Sequence, residues 1–266
     1  MVRVFPVLFA IFLTEEVGMK MIKSQEIMGL SFVDSDMDNL IKVIQSRIVK
    51  QEKTFIVTAN PEIVMYAESN QTYKEIIKNA DFITPDGIGV VIGSKILGKK
   101  VKERLAGFDL MSNLLKLSNE ENYRVYFLGA THETIEQATK NIKKRYPKID
   151  IVGFHHGYFE STDPSIFEDI DNLKPDLIFI GLGFPRQEQW IFDHIKKVNK
   201  GVFMGVGGSF DVWAGKVKRA PIVWQRMNLE WLYRLIHQPS RWRRMLVLPM
   251  FLGKVVNLKF GEKGIK

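Results

Sequence analysis

Thr54-Phe55-Ile56-Val57-Thr58-Ala59-Asn60-Pro61 reads as a buried strand running directly into a helix. Residues 54–58 are all β-branched or aromatic, the types that fit a pleated surface. A strand that is apolar on both faces belongs to a parallel sheet covered by helices on either side. Asn60 can cap the following helix, and Pro61 suits its first position, where an N–H would have no partner anyway.

The same unit recurs on both sides of this stretch. Upstream, Ile27 to Val33 reads as strand, and Asp34-Ser35-Asp36 caps a helix predicted to reach about Val49. Downstream, Ala80 to Thr84 is a short strand, followed by Pro85-Asp86-Gly87 and an apolar helix containing Gly89 and Gly93. Arg124 to Leu128 is the next strand, with a helix after it to about Tyr146. Ile149 to Phe154, Asp176 to Ile180 and Val202 to Val206 complete the set. The alternation predicts an α/β fold: a Rossmann-like, mostly parallel sheet with helices on both faces.

The rhythm stops near Ala220-Pro221. Beyond it Trp224, Trp231, Tyr233 and Trp242 are interleaved with arginines, which predicts a C-terminal helical appendage over 221–266 on a core spanning 21–220. Between Gln225 and the end, nine Lys and Arg face only Glu230 and Glu262, so this segment carries seven of the eight net positive charges. Such a balance calls for an anionic partner. Val4 to Leu13 is an apolar run too short to cross a bilayer, with no small-residue cleavage site behind it. Residues 1–20 therefore read as a packed peripheral segment, or as an extension ahead of a start at Met19 or Met21, in preference to an interfacial anchor. The absence of cysteine excludes disulfides and thiolate metal sites, and fits a cytoplasmic location.

In a parallel sheet, ligands bind beyond the carboxyl ends of the strands. Five predicted strand ends carry small or polar residues: Thr58-Ala59-Asn60-Pro61, Thr84-Pro85-Asp86-Gly87, Gly129-Ala130-Thr131, Gly181 to Glu188 and Gly205 to Asp211. Singly they are weak. The glycines suit turns, Asn60 a helix cap, Asp86 a turn, and Arg186 with Glu188 a surface pair. Their coincidence at five successive ends is the signal. No GxxxxGK[ST] loop is present, and the glycines after Phe203 lack dinucleotide-fingerprint spacing, so neither a P-loop NTPase nor a nucleotide-sugar oxidoreductase is favoured.

Thr58-Ala59-Asn60-Pro61-Glu62, Thr84-Pro85-Asp86-Gly87-Ile88-Gly89, Glu103-Arg104-Leu105-Ala106-Gly107, Gly181-Leu182-Gly183-Phe184-Pro185-Arg186-Gln187-Glu188 and Gly205-Val206-Gly207-Gly208-Ser209-Phe210-Asp211 together resemble the motif series of the WecG/TagA/CpsF glycosyltransferases, the TagA branch most. The resemblance implies an inverting transfer of N-acetylmannosamine from a UDP donor to the 4-hydroxyl of N-acetylglucosamine on undecaprenyl diphosphate, in teichoic acid linkage-unit synthesis. Relatives use the uronic acid or glucose instead. It implies Asp86 as base, a role that a carboxylate of ordinary acidity can serve because proton loss runs late, with Thr58 and Asn60 orienting the sugar. Arg104, Gly181, Gly183, Arg186, Gln187, Gly207 and Gly208 would hold the donor, with Asp211 on uracil or ribose.

No Asp-x-Asp pair lies in the sheet region, and His155-His156 reads as packing, so no metal and no cofactor is expected. Arg234, Arg241 and Arg244 are candidates to reach a diphosphate from the appendage. Its aromatic and basic residues suit an anionic membrane surface, with the protein peripheral at the inner face of the cell membrane. A homo-oligomer that buries the appendage is an alternative cover. Nucleic-acid binding by the tail is the rival from another class; the apolar Leu246 to Leu252 argues against it.

Overall fold

A computed structural model describes residues 21–160 and 164–261; the readings for residues 1–20 lie outside them. Eight strands form one sheet: β1 Lys23–Ile27, β2 Leu30–Asp34, β3 Lys53–Ala59, β4 Phe82–Pro85, β5 Arg124–Gly129, β6 Asp150–His155, β7 Leu177–Gly181 and β8 Gly201–Gly205. Their order is β1-β2-β4-β3-β8-β7-β5-β6, parallel except for the β1–β2 pair. The two halves of the sheet meet where β3 pairs with β8 (Phe55 opposite Phe203), and this junction is the topological switch point.

Between Ile27 and Val33 lies not one strand but a tight hairpin. Met28 and Gly29 both take positive φ (51° and 75°), as a two-residue turn matched to strand twist requires, and Ile27 pairs with Leu30. The other predicted elements are found within a few residues. Asp36 caps α1 (Met37–Val49) through a 2.8 Å bond from Asn39 N–H, and Asn60 caps α2 (Pro61–Ser69) through a 3.0 Å bond from Ile63 N–H. Asn70 then stops α2 and caps α3 (Gln71–Lys78).

Among the described residues the remaining α-helices are α4 Ile88–Leu97, α5 Gly107–Glu121, α6 His132–Arg145, α7 Ser165–Leu173, α8 Arg186–His194, α9 Ser209–Trp213, α10 Ile222–Arg226, α11 Glu230–His237, α12 Trp242–Met245 and α13 Val247–Gly261. Alternate strand residues feed two hydrophobic clusters. Phe55, Val57, Ile178 and Phe203 pack with α2, α3, α4 and α8 on one face; Ile56, Phe179, Val202 and Met204 pack with α1, α5 and α6 on the other. This is the period-two alternation of a strand covered on both sides.

α13 does not stand apart. Phe251 and Val255 are fully buried in the first cluster against α4, where a Cβ on Gly93 would meet the Phe251 ring at 2.7 Å. Gly89, one turn earlier, faces Leu248 and Pro61 with equally little room. Lys254 adds an ion pair to Glu68 of α2 at 3.0 Å.

Candidate active site

A cleft of about 360 Å³ lies over the carboxyl ends of the four central strands. Thr58 and Asn60 enter it from the end of β3, Asp86 from β4, Gly183 and Gln187 after β7, and Gly207, Gly208 and Asp211 after β8. Arg104 lines it from the loop before α5. Arg234 of α11 and Arg244 of α12 close the opposite side, so side chains distant in sequence share one cavity.

Asp86 sits where the chain turns from β4 into α4. Its N–H donates to the carbonyls of Ala59 (3.0 Å) and Thr84 (2.9 Å), and Gly87 behind it takes φ +97°, open to glycine at little cost. The residue keeps some surface open to the cleft but is densely ringed by protein. That desolvation pushes its carboxyl above the ordinary range, and the Glu230 charge adds to the rise; Arg104, Arg234 and the Gly107 N–H pull the other way without cancelling it. Asp86 is therefore a weaker acid than an ordinary carboxyl, and its conjugate base is stronger.

Several expected contact residues are committed within the protein. Thr58 Oγ1 donates to the Gly205 carbonyl at 3.0 Å and ties β3 to β8 beneath the cleft. Gln187 Oε1 accepts from Gly207 N–H at 3.1 Å, while its Nε2 donates to Glu188 Oε1 at 2.7 Å, so Gln187 braces the glycine loop from behind. Asn60 spends Oδ1 on its helix and still lines the cleft.

Gly181 and Arg186 do not join the group. Gly181 is a packing glycine, since a Cβ there would meet Phe210 at 2.6 Å. Arg186 binds the carbonyls of Gly157 (2.8 Å) and Phe159 (3.0 Å) and stacks on the Phe159 ring. The Arg241 side chain lies outside the described residues. Glu188, for which a surface pair with Arg186 is the plainer alternative in sequence, is fully buried. Burial raises its carboxyl despite the hydrogen bond from Gln187 Nε2, and Glu188 Oε2 is buried without a partner. His155 and His156 pack ring against ring at 4.3 Å, and the described residues contain no group of three His, Asp or Glu able to hold a metal ion.

The sequence reading missed a cluster of charged residues on the cleft's far wall. Arg219 makes a bidentate pair with Asp109 of α5, at 2.6 and 2.7 Å, and lies over the Phe108 ring. Glu230, at the start of α11, accepts from Arg104 Nη2 at 2.7 Å and Arg234 Nη2 at 3.0 Å, with Arg219 Nε at 3.5 Å. Burial pushes the Glu230 carboxyl up, but the three guanidiniums outweigh it and hold the acid below its usual range. Asp109 lies two residues beyond the Glu103 to Gly107 motif, and Glu230 is one of two acids among nine cations. Both were visible as isolated acids, but no local pattern tells which arginines they meet.

Residues 25–264 match the glycosyl transferase WecG/TagA/CpsF family. Among curated proteins, the chain is 40% identical over 235 residues to the N-acetylglucosaminyldiphosphoundecaprenol N-acetyl-beta-D-mannosaminyltransferase of Bacillus spizizenii (strain W23), covering 88% of this chain and 91% of the relative. The enzyme of the same description from Staphylococcus aureus (strain MW2) is 40% identical over 236 residues, 88% of this chain and 92% of the relative.

Proposed function

Because the chain belongs to the WecG/TagA/CpsF family of glycosyl transferases, we infer that it is an N-acetylglucosaminyldiphosphoundecaprenol N-acetyl-beta-D-mannosaminyltransferase. It takes N-acetylmannosamine from a UDP donor and places it on the lipid-linked N-acetylglucosamine. The observation that carries the chemistry is the placement of Asp86 at the β4 end, across one cleft from Arg104 and Arg234.

Asp86 accepts the proton of the acceptor's 4-hydroxyl as that oxygen attacks the anomeric carbon. The bond to UDP breaks on the opposite face, and the diphosphate leaves with the bonding electrons, inverting the centre. Burial that raises the Asp86 acid strengthens its conjugate base, which suits late proton removal. Arg104 and Arg234 answer the charge developing on the leaving group, and Asp211 faces the nucleoside. In this reading Thr58 and Gln187 hold the cleft floor and Arg244 reaches the lipid-linked diphosphate. No step is assigned to a metal; a strict divalent requirement of the purified enzyme would overturn that assignment.

The C-terminal segment is the surface that meets the lipid. Among the described residues no helix is long and apolar enough to cross a membrane. Yet Ile222, Val223, Ile236, Trp242, Leu246, Met250 and Phe260 are exposed, as is Arg243, and the same segment carries the half-buried Lys254 and Lys259. Apolar side chains with neighbouring cations suit peripheral docking on an anionic inner leaflet, where the acceptor's lipid stays.

The test is UDP release from UDP-N-acetylmannosamine with a lipid-diphosphate N-acetylglucosamine acceptor, comparing wild type with Asp86→Asn. Acceptor-dependent release that falls by about 10²- to 10⁴-fold in the variant supports both reaction and base. Wild-type activity should also rise with pH through an acid limb above the ordinary carboxylate range, because only ionised Asp86 accepts the proton. Release surviving Asp86→Asn removes Asp86 from the role. Absence of release with this donor, together with turnover of UDP-glucose or the uronic acid, refutes the donor assignment.

A further inference from the structure

We propose that Glu230 is a positioning residue of the transfer site: one carboxylate of the C-terminal segment gathers Arg104 from the core, Arg219 from the connection and Arg234 from its own helix, and fixes the cationic wall of the cleft relative to Asp86. The proposal rests on the reading that Asp86 is the base and that these arginines face the leaving diphosphate.

Three guanidiniums converging on one part of a cleft repel one another, and without a counter-charge they would splay toward water. Glu230 supplies it from a side chain only 8% exposed. Its two oxygens are divided: Oε2 takes Arg104 at 2.7 Å, and Oε1 takes Arg234 at 3.0 Å with Arg219 at 3.5 Å. The contact with Arg234 spans one turn of α11, and the carboxylate lies at that helix's first residue, where negative charge is favoured.

The manner of holding matters more than the count. Arg219 is already gripped by both oxygens of Asp109 and acts as the fixed member. Arg104 and Arg234 each give Glu230 a single Nη2, and Arg104 Nε is buried without a hydrogen-bond partner. A guanidinium held by one arm is aimed without being used up, and its other Nη group stays free for phosphate oxygens.

A plain structural rivet between segment and core would show the same contacts. The two roles separate through Asp86, whose carboxyl feels Glu230 raising its titration while Arg104 and Arg234 lower it. Removing the Glu230 charge without changing its shape leaves those arginines uncompensated. Ionised Asp86 is then favoured, and the acid limb of the pH–rate profile moves to lower pH. Loss of folding alone moves no limb.

The experiment measures UDP release by the full-length protein with detergent-dispersed acceptor across pH, for wild type, Glu230→Gln, Glu230→Asp and Asp86→Asn, each normalised to folded fraction. For Glu230→Gln we expect kcat to fall between about 10- and 100-fold, the scale of a ~1 Å misplacement, and the acid limb to shift down. For Glu230→Asp, which keeps the charge on a shorter reach, we expect a smaller fall with the limb in the wild-type position. Wild-type kcat in either variant overturns the proposal, as does a slowed Glu230→Gln enzyme whose limb is unmoved. Complete loss in both folded variants also overturns it, since Glu230 would then do more than position. Full activity of Asp86→Asn instead removes the underlying base assignment, a separate failure.

Discussion

Replacing Phe251 by alanine should destabilise the whole core. The side chain is fully buried and its ring lies against the backbone of Gly93 in α4, so that even a Cβ there would sit 2.7 Å from Cε1 and 2.8 Å from Cζ. Deleting a buried phenylalanine costs about 3–5 kcal/mol, the larger values applying where surroundings cannot collapse into the hole. Here the facing wall is glycine, which has no side chain to fill it, so the upper half of that range is expected. The unfolding equilibrium constant then rises by roughly 10³-fold or more.

A double-mutant cycle with Gly93→Ala sharpens the expectation. In the wild-type background the new methyl group must push the Phe251 ring, an overpacking cost of about 1–3 kcal/mol. In the Phe251→Ala background the same methyl group enters the vacated space, and alanine's helix preference of about 1 kcal/mol over glycine becomes available. Gly93→Ala should therefore destabilise one background and stabilise the other. Urea denaturation followed by far-UV circular dichroism measures all four proteins, with midpoints compared at a common m-value. If Gly93→Ala has the same sign and size in both backgrounds, α13 does not pack on α4 as described and the reasoning is refuted.

Two further outcomes follow from other parts of the molecule. Glu188 is a buried acid whose folded-state titration is raised, so its stabilising contribution is present below the ordinary carboxylate range and fades as pH climbs through the raised value. Wild type should accordingly lose stability relative to Glu188→Gln as pH rises above the ordinary carboxylate range; urea midpoints that stay parallel over that rise would show that burial is not what tunes this acid. On the outer face, Trp242→Ser combined with Met250→Ser removes two exposed apolar side chains of the C-terminal segment and should cut partitioning to anionic vesicles about tenfold or more, each contact being worth up to ~2 kcal/mol. An unchanged bound fraction in vesicle sedimentation argues instead for burial of this face between copies of the chain, which sedimentation velocity without lipid would reveal.

The sequence by itself determined the layer architecture and most of the strand-end positions, because those signals are local. A run such as Thr54 to Thr58 has no polar face to leave in water, and Asn60-Pro61 starts a helix whatever surrounds it. The hairpin at Met28-Gly29 escaped because two residues of positive φ suffice to reverse a chain, leaving the apolar run unbroken. Asp86, Asn60 and Asp211 could be placed in a cleft because parallel strands bring their carboxyl ends together.

What only the tertiary structure decided is which charges meet. Arg104 and Glu230 are 126 positions apart, and Asp109 and Arg219 are 110 apart. Helical or strand periodicity carries no information over such separations. The same applies to burial. Arg186-Gln187-Glu188 is polar in sequence and looks like surface, yet the approach of β8 places Gln187 and Glu188 inside, where Gly205 has no side chain to keep them out. The basic tail was legible as a source of charge, but its attachment was not. Phe251 and Val255 read as one more apolar stretch until the bare faces of Gly89 and Gly93 give them a place to dock.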